Sequence, residues 1–117
     1  MLQDKKARIT ETQSWGSYFL LRMSAPQIAR EAQPGQFLMI RVSSGFNPLL
    51  RRPLSIHNCA GSELEVFFQV TGEGTRLLSQ KMAGEELDIL GPCGHGFSLK
   101  PEFKGQEIFC VGGGRGL

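Results

Sequence analysis

From Glu63 to Thr71 the side chains alternate. Leu64, Val66, Phe68 and Val70 fall on one face, and Glu65, Phe67 and Gln69 on the other. A period of two sends successive Cβ atoms to opposite sides of an extended chain, so this stretch reads as a half-buried strand. The same rhythm recurs in shorter pieces: Ala7 to Thr12, Ser17 to Met23, Gln36 to Val42, Leu54 to Cys59 and Glu86 to Leu90. Breaks such as Trp15-Gly16 and Gln33-Pro34-Gly35 lie between them. Six short strands separated by Gly and Pro turns predict an all-β chain, a closed or nearly closed antiparallel barrel. One short helix is expected over Thr75 to Met82, where good helix formers follow a plausible N-cap at Thr75 and Gly84 supplies the stop.

Length and charge narrow the function. At 117 residues the chain has the size of one domain. Thirteen basic against 11 acidic side chains leave a net charge of +2, which argues against a general nucleic-acid surface. The tight basic pair in mid-chain, Arg51-Arg52, suits one bound anion better than a polymer. Cys59, Cys93 and Cys110 are far apart and form no C-x-x-C, so neither a zinc site nor an iron–sulfur cluster is expected here. An odd, scattered set also argues against a disulfide framework and for a reducing compartment. Met1 to Glu11 is polar, and no stretch is long and apolar enough to span a membrane, so the expected location is cytoplasmic.

Four motifs carry chemistry. In Arg52-Pro53-Leu54-Ser55, Pro53 forces Arg52 into an extended conformation, and an arginine fork matches the oxygens of a diphosphate. Ser55 places a hydroxyl near where a redox-active ring would lie. Gly72-Glu73-Gly74-Thr75 joins a strand to a helix, where backbone N–H groups are free to meet a phosphate. Gly91-Pro92-Cys93-Gly94-His95-Gly96-Phe97 imposes a close backbone approach to something. Val111-Gly112-Gly113-Gly114 follows the apolar run Gln106 to Val111, as at the start of a parallel α/β domain. Taken singly, each also fits a plain reading: an exposed arginine pair, a capped turn, a structural loop, a fragment end.

Their order is more specific. Pro34-Gly35-Gln36-Phe37, then Pro48 to Ile56, then Gly72 to Leu78, then Leu90-Gly91-Pro92 with Gly94 and Gly96-Phe97, then the terminal glycines follow in sequence. This series resembles the ferredoxin-reductase superfamily, and within it the electron-transfer subunits of bacterial dihydroorotate dehydrogenases. The resemblance implies a six-stranded antiparallel Greek-key FAD-binding barrel over residues 1–101. It implies the first strand of a truncated NAD(P)-binding α/β domain over 102–117. A 2Fe-2S cluster would belong to the full-length protein, and Cys59, Cys93 and Cys110 match none of its ligands. The cofactor-binding residues implied are Arg52, Pro53, Leu54 and Ser55 for the flavin and its diphosphate, Phe67, Phe68 and Gln69 lining the cofactor, and Gly74 and Thr75 for phosphate. No catalytic or metal-binding side chain is implied. The partner implied is a catalytic flavin dehydrogenase subunit, with residues 106–117 as a surface for self-association. The alternatives are a ferredoxin–NAD(P) oxidoreductase, sulfite reductase or hydrogenase subunit and, from another class, a non-catalytic barrel module.

Overall fold

Each of the six alternating runs is a strand, and the strands close on one another. The computed structural model describes residues 1–42, 51–97, 102, 104–107, 109 and 111. The strands are β1 (Leu2–Trp15), β2 (Tyr18–Ser24), β3 (Phe37–Arg41), β4 (Arg52–Ala60), β5 (Glu63–Gln69) and β6 (Glu86–Cys93). Around the barrel they run β1-β2-β5-β4-β3-β6, and β6 pairs back onto β1. Every neighbouring pair is antiparallel. Closure gives every strand a neighbour on each side.

Three connections are hairpins between neighbours, and two of them turn on glycines at left-handed φ: Gly16 (φ 60) from β1 to β2, and Gly61 (φ 61) from β4 to β5. The other two connections, β2 to β3 and β5 to β6, join strands that are not neighbours, which is the Greek-key crossing. Each carries a helix: α1 (Pro26–Glu31) in the first and α2 (Glu73–Ser79) in the second. The expectation of one short helix is therefore corrected to two. Helix α1 has six residues, no side-chain cap, and only Ile28 and Ala29 buried. So brief a segment shows no 3.6-residue period, and what holds it is Pro26 in its first turn and the packing of Ile28 into the core.

Strand β1 runs well beyond the expected Ala7 to Thr12. Its first part, Leu2 to Arg8, pairs with β6, and its second, Arg8 to Trp15, pairs with β2. A register shift interrupts each ladder, between Asp4 and Ala7 and between Ile9 and Glu11. Such bulges bend a strand, and here the bend lets one strand serve two neighbours. Within β1 only Ala7 and Ile9 are buried, so its ends carry no apolar rhythm to read.

The interior is filled by alternate residues of all six strands, among them Ile9, Leu21, Met23, Leu38, Ile40, Leu64, Val66 and Ile89, each fully buried. The one buried charged residue among the described ones is Glu65, at 8% exposure. It accepts hydrogen bonds from Asn58 Nδ2 (2.9 Å) and Arg22 Nη2 (3.1 Å). Burial works against its charge, but these two donors outweigh burial and hold the carboxyl below its usual range.

Of the apolar run expected to begin a second domain, Gln106, Glu107, Phe109 and Val111 are described. They lie in no strand, and Phe109 and Val111 are 86% and 97% exposed. The other residues of 106–117, with the terminal glycines and Cys110, lie outside the described residues, as do Pro48 to Leu50. No helix among the described residues is long and apolar enough to cross a membrane.

Leu21 is fully buried in β2 between β1 and β5. Leu21→Ala is expected to lower unfolding stability by about 2–5 kcal/mol, read as a fall in the urea midpoint.

Candidate functional site

The two arginines of the mid-chain pair have different surroundings. Arg51 reaches across to β6, where its Nη1 donates to the Asp88 carbonyl and its Nη2 to Asp88 Oδ1, both at 2.9 Å. Gln3 Nε2 donates to the same carboxylate oxygen at 3.1 Å. Burial disfavours the Asp88 charge, but Gln3 and Arg51 overcome it and keep the carboxyl below its ordinary range, with Arg41 adding a further positive charge. Arg51 thus fastens the start of β4 to β6.

Arg52 takes another course. Opposite Ile40 at the first position of β4, it lays its side chain over Gly74 in α2. A Cβ at Gly74 would stand 2.5 Å from Arg52 Nε and 2.8 Å from its Cγ, so only glycine leaves room for this crossing. Among the described residues no carboxylate pairs with Arg52. Arg52 is half-buried as a residue, and its charge is not taken up by an ion pair within the described chain.

The remaining residues of the motif divide by face. Leu54, opposite Leu38, packs against the core, whereas Pro53 and Ser55, opposite Met39 and Phe37, are exposed. The Ser55 hydroxyl makes no hydrogen bond among the described residues and is open to a ligand. On β5, Phe67 and Gln69 are half-buried on the outer face. Phe68 turns inward: it is 2% exposed and stacks on Phe19 at 5.8 Å. Its side chain belongs to the core and is not offered to a surface ligand, as the period of two already separates it from Phe67 and Gln69.

The turn into α2 also differs from its sequence reading. Gly72 is the N-cap, and Thr75 is the third helical residue. Thr75 Oγ1 accepts from the backbone N–H of Thr71 (2.9 Å) and Gly72 (3.1 Å) and donates to the Gly72 carbonyl (3.2 Å). Its hydroxyl is fully engaged in folding the turn. What Thr75 has left to offer is backbone N–H, and Gly74 is buried beneath Arg52.

The third glycine motif approaches its own chain. Phe97 N donates to the Pro34 carbonyl (2.9 Å), and Gln36 Nε2 donates to the Gly94 carbonyl (2.9 Å). A Cβ at Gly96 would meet Gln33 at 2.9 Å, and Gly35, at φ 96, sits 3.2 Å from Phe97 N by the same measure. The loop is a clasp on the Gln33–Gln36 turn. Beside it opens a cleft of about 440 Å³ lined by residues 32–35, 56–59 and Phe97. His57 lies there, 5.5 Å from the Phe67 ring, and His95 is exposed.

Relatives of this chain share one description. It is 48% identical over 87 residues to the dihydroorotate dehydrogenase B (NAD(+)) electron transfer subunit of Bacillus velezensis, covering 73% of this chain and 34% of the relative. It is 48% identical over 85 residues to that of Bacillus pumilus, covering 71% and 33%. Over the matched residues, this chain is similar to these electron-transfer subunits. It spans about a third of the length of the curated relatives it matches. No family model matches the sequence.

Solved structures agree on the fold. The NADH-dependent reduced ferredoxin-NADP oxidoreductase, studied for flavin-based electron bifurcation, superimposes with a TM-score of 0.73 at 25% identity, over 81% of this chain and 35% of that one. The siderophore-interacting protein of Acinetobacter baumannii gives 0.66 at 17%, over 91% and 45%. The cytochrome b5 reductase domain of Ulva prolifera nitrate reductase gives 0.62 at 15%, over 78% and 40%. The barrel is of the ferredoxin-reductase type.

Nothing in the local sequence separates Arg51 from Arg52, because the residue that distinguishes them, Asp88, lies 37 positions away. Asp88→Asn is expected to lower stability by roughly 1–3 kcal/mol at pH 7. An unfolded aspartate titrates near 3.9. With the folded value depressed below that, the stabilisation is complete above the unfolded value and is lost as pH falls through the folded one. Chemical unfolding at pH 7 and at pH 2.5 should therefore show the gap between parent and variant closing in acid.

Proposed function

We propose that this chain is the FAD-binding barrel of an electron-transfer subunit that moves electrons between a nicotinamide and an iron–sulfur or flavin partner, in the service of dihydroorotate oxidation. The observation that carries this reading is Arg52. Its charge has no carboxylate partner among the described residues and its side chain is seated over Gly74, while Ser55 stands exposed on the other face of the same strand. An anion-bearing cofactor with a polar ring fits that arrangement. The kinship with dihydroorotate dehydrogenase B electron-transfer subunits and the shared barrel support the choice of a flavin.

The parts then have distinct duties. Arg52 balances the charge of the diphosphate through paired N–H bonds. Ser55 hydrogen-bonds the ring edge and fixes its orientation. The buried Gly74 keeps Arg52 in place, and Phe67 and Gln69 line the outer face of β5. Bound FAD supplies the redox chemistry, and the barrel supplies position and electrostatics. The nicotinamide, the 2Fe-2S cluster and the catalytic flavin dehydrogenase subunit belong to the larger assembly. Residues 102–117 are the start of its nicotinamide-binding domain, whose sheet would cover the exposed Phe109 and Val111. The likeness to the ferredoxin-NADP oxidoreductase favours a second reading, in which the same barrel serves that reaction instead. Co-purification with a dihydroorotate-oxidising subunit decides between the two.

Arg52→Ala is expected to weaken FAD by about tenfold or more in equilibrium dialysis, since a charge-assisted hydrogen bond contributes ~1.5–3 kcal/mol. Arg51→Ala should instead lower stability and leave FAD affinity near that of the parent at temperatures where both are folded. Equal FAD affinity in parent and Arg52→Ala would refute the assignment. In the intact subunit, Ser55→Ala should slow flavin reduction by the nicotinamide more than it weakens FAD binding. Stopped-flow rates that match the parent's would remove Ser55 from that role.

A further inference from the structure

Three aromatic rings gather outside the barrel near the site. Trp15 ends β1 and Tyr18 begins β2, on either side of the Gly16-Ser17 turn. Tyr18 and Phe67 are nearly parallel, at 8° and 5.7 Å between ring centres. Trp15 leans on Phe67 at 60° and 6.2 Å. Phe67 and Tyr18 are half-buried, but Trp15 is 53% exposed. Phe67, itself stacked on Tyr18, thus supports an indole much of whose surface faces solvent.

The hairpin tip is tied to the segment that Arg52 touches. Val70 N donates to the Ser17 carbonyl at 2.9 Å, and Tyr18 stands opposite Gln69. Arg52 crosses Gly74, four residues beyond Val70. Even fully extended, four residues span at most about 14 Å. Trp15 and Arg52 therefore flank one short stretch of chain. Ser55 lies toward the other side of β4, paired with Phe37 on β3.

We propose that Trp15, braced by Phe67, is the stacking surface for the adenine ring of the dinucleotide cofactor. This rests on the reading of Arg52 as the diphosphate ligand. A diphosphate on Arg52 has two arms: the ring arm runs toward Ser55 and β3, and the adenosine arm runs toward β5 and the β1–β2 hairpin. Adenine is planar and uncharged, and an indole face takes such a ring by stacking without requiring a hydrogen-bond partner. The subsite would make the barrel select FAD over FMN, which lacks the adenosine arm.

The chain contains a single tryptophan, so its fluorescence reports this surface directly. ADP is a suitable probe because it carries the adenosine and diphosphate but no flavin, and it does not absorb tryptophan emission. Saturable quenching of Trp15 by ADP, with none by inorganic pyrophosphate at equal concentration, is the expected result. In dialysis, Trp15→Ala should weaken FAD by about tenfold and leave FMN unchanged, and Trp15→Phe should retain part of the FAD affinity. A chain that binds FAD but shows no Trp15 response to ADP overturns the adenine surface and leaves the flavin reading standing. Equal losses of FAD and FMN in Trp15→Ala overturn it as well, by exposing a general loss of fold. A parent that binds none of FAD, FMN and ADP overturns both proposals.

Discussion

The structure depends on β1 closing the barrel. One strand pairs with β6 along its first part and with β2 along its second, and two bulges supply the bend. Once the ring is closed, each of the six strands has a neighbour on both sides. The Greek-key crossings then have to pass outside it. Each crossing carries a short helix that buries side chains against the core: Ile28 and Ala29 from α1, Leu78 from α2. The placing of α2 follows from this closure, and with it the meeting of Gly74 and Arg52. The candidate site is thus a consequence of topology: β4 begins where the β5 to β6 crossing passes.

Electrostatics then divides two adjacent arginines. Successive residues of a strand point to opposite sides, so Arg51 and Arg52 cannot share a partner easily. Arg51 finds Asp88, itself steadied by Gln3 from β1. The clasp links β4, β6 and β1 around the closure point and fixes the backbone from which Arg52 departs. Arg52 crosses a glycine and meets no carboxylate among the described residues. A pair of like charges at the mouth of a strand would repel each other if both were unpaired. Neutralising one and presenting the other concentrates the positive charge on a single placed guanidinium, which is what recognition of one diphosphate needs.

How much of this was legible in the sequence follows from the range of each interaction. The alternation of Glu63 to Gln69 is local, and β5 runs over those residues. The start of the chain, Leu2 to Lys6, is strand without an apolar rhythm: Gln3, Lys5 and Lys6 are exposed, and its pairing comes from β6 more than 80 residues away. Helix α1 is held by tertiary packing, and six residues leave no periodic trace. Thr75 was read as a cap from its type and position, and it does cap the turn, but from the third helical position back to Thr71 and Gly72. Phe67 and Phe68 stood together as cofactor-lining residues through resemblance alone; the pleat sends one outward and the other into the core. Trp15 and Tyr18 flank a visible break, but only the β2–β5 register brings them to Phe67.

The glycines give the last step. A glycine-rich stretch in a flavin-type barrel invites the thought that the backbone is approaching a ligand. Here the approaches are to the chain itself: Gly96 to Gln33, Gly35 to Phe97, Gly94 to Phe37 and Gly74 to Arg52. The first three lock the loop after β6 onto the turn before β3, so they shape a wall of the cleft and do not form a phosphate cradle. The fourth seats a side chain. In the proposed reading, recognition therefore rests on placed side chains more than on bare backbone: Arg52 for charge, Ser55 for a polar edge, the outer aromatic rings for a planar face. The glycines act on the site at one remove, by permitting close packing within the chain, at Gly74 against Arg52 itself.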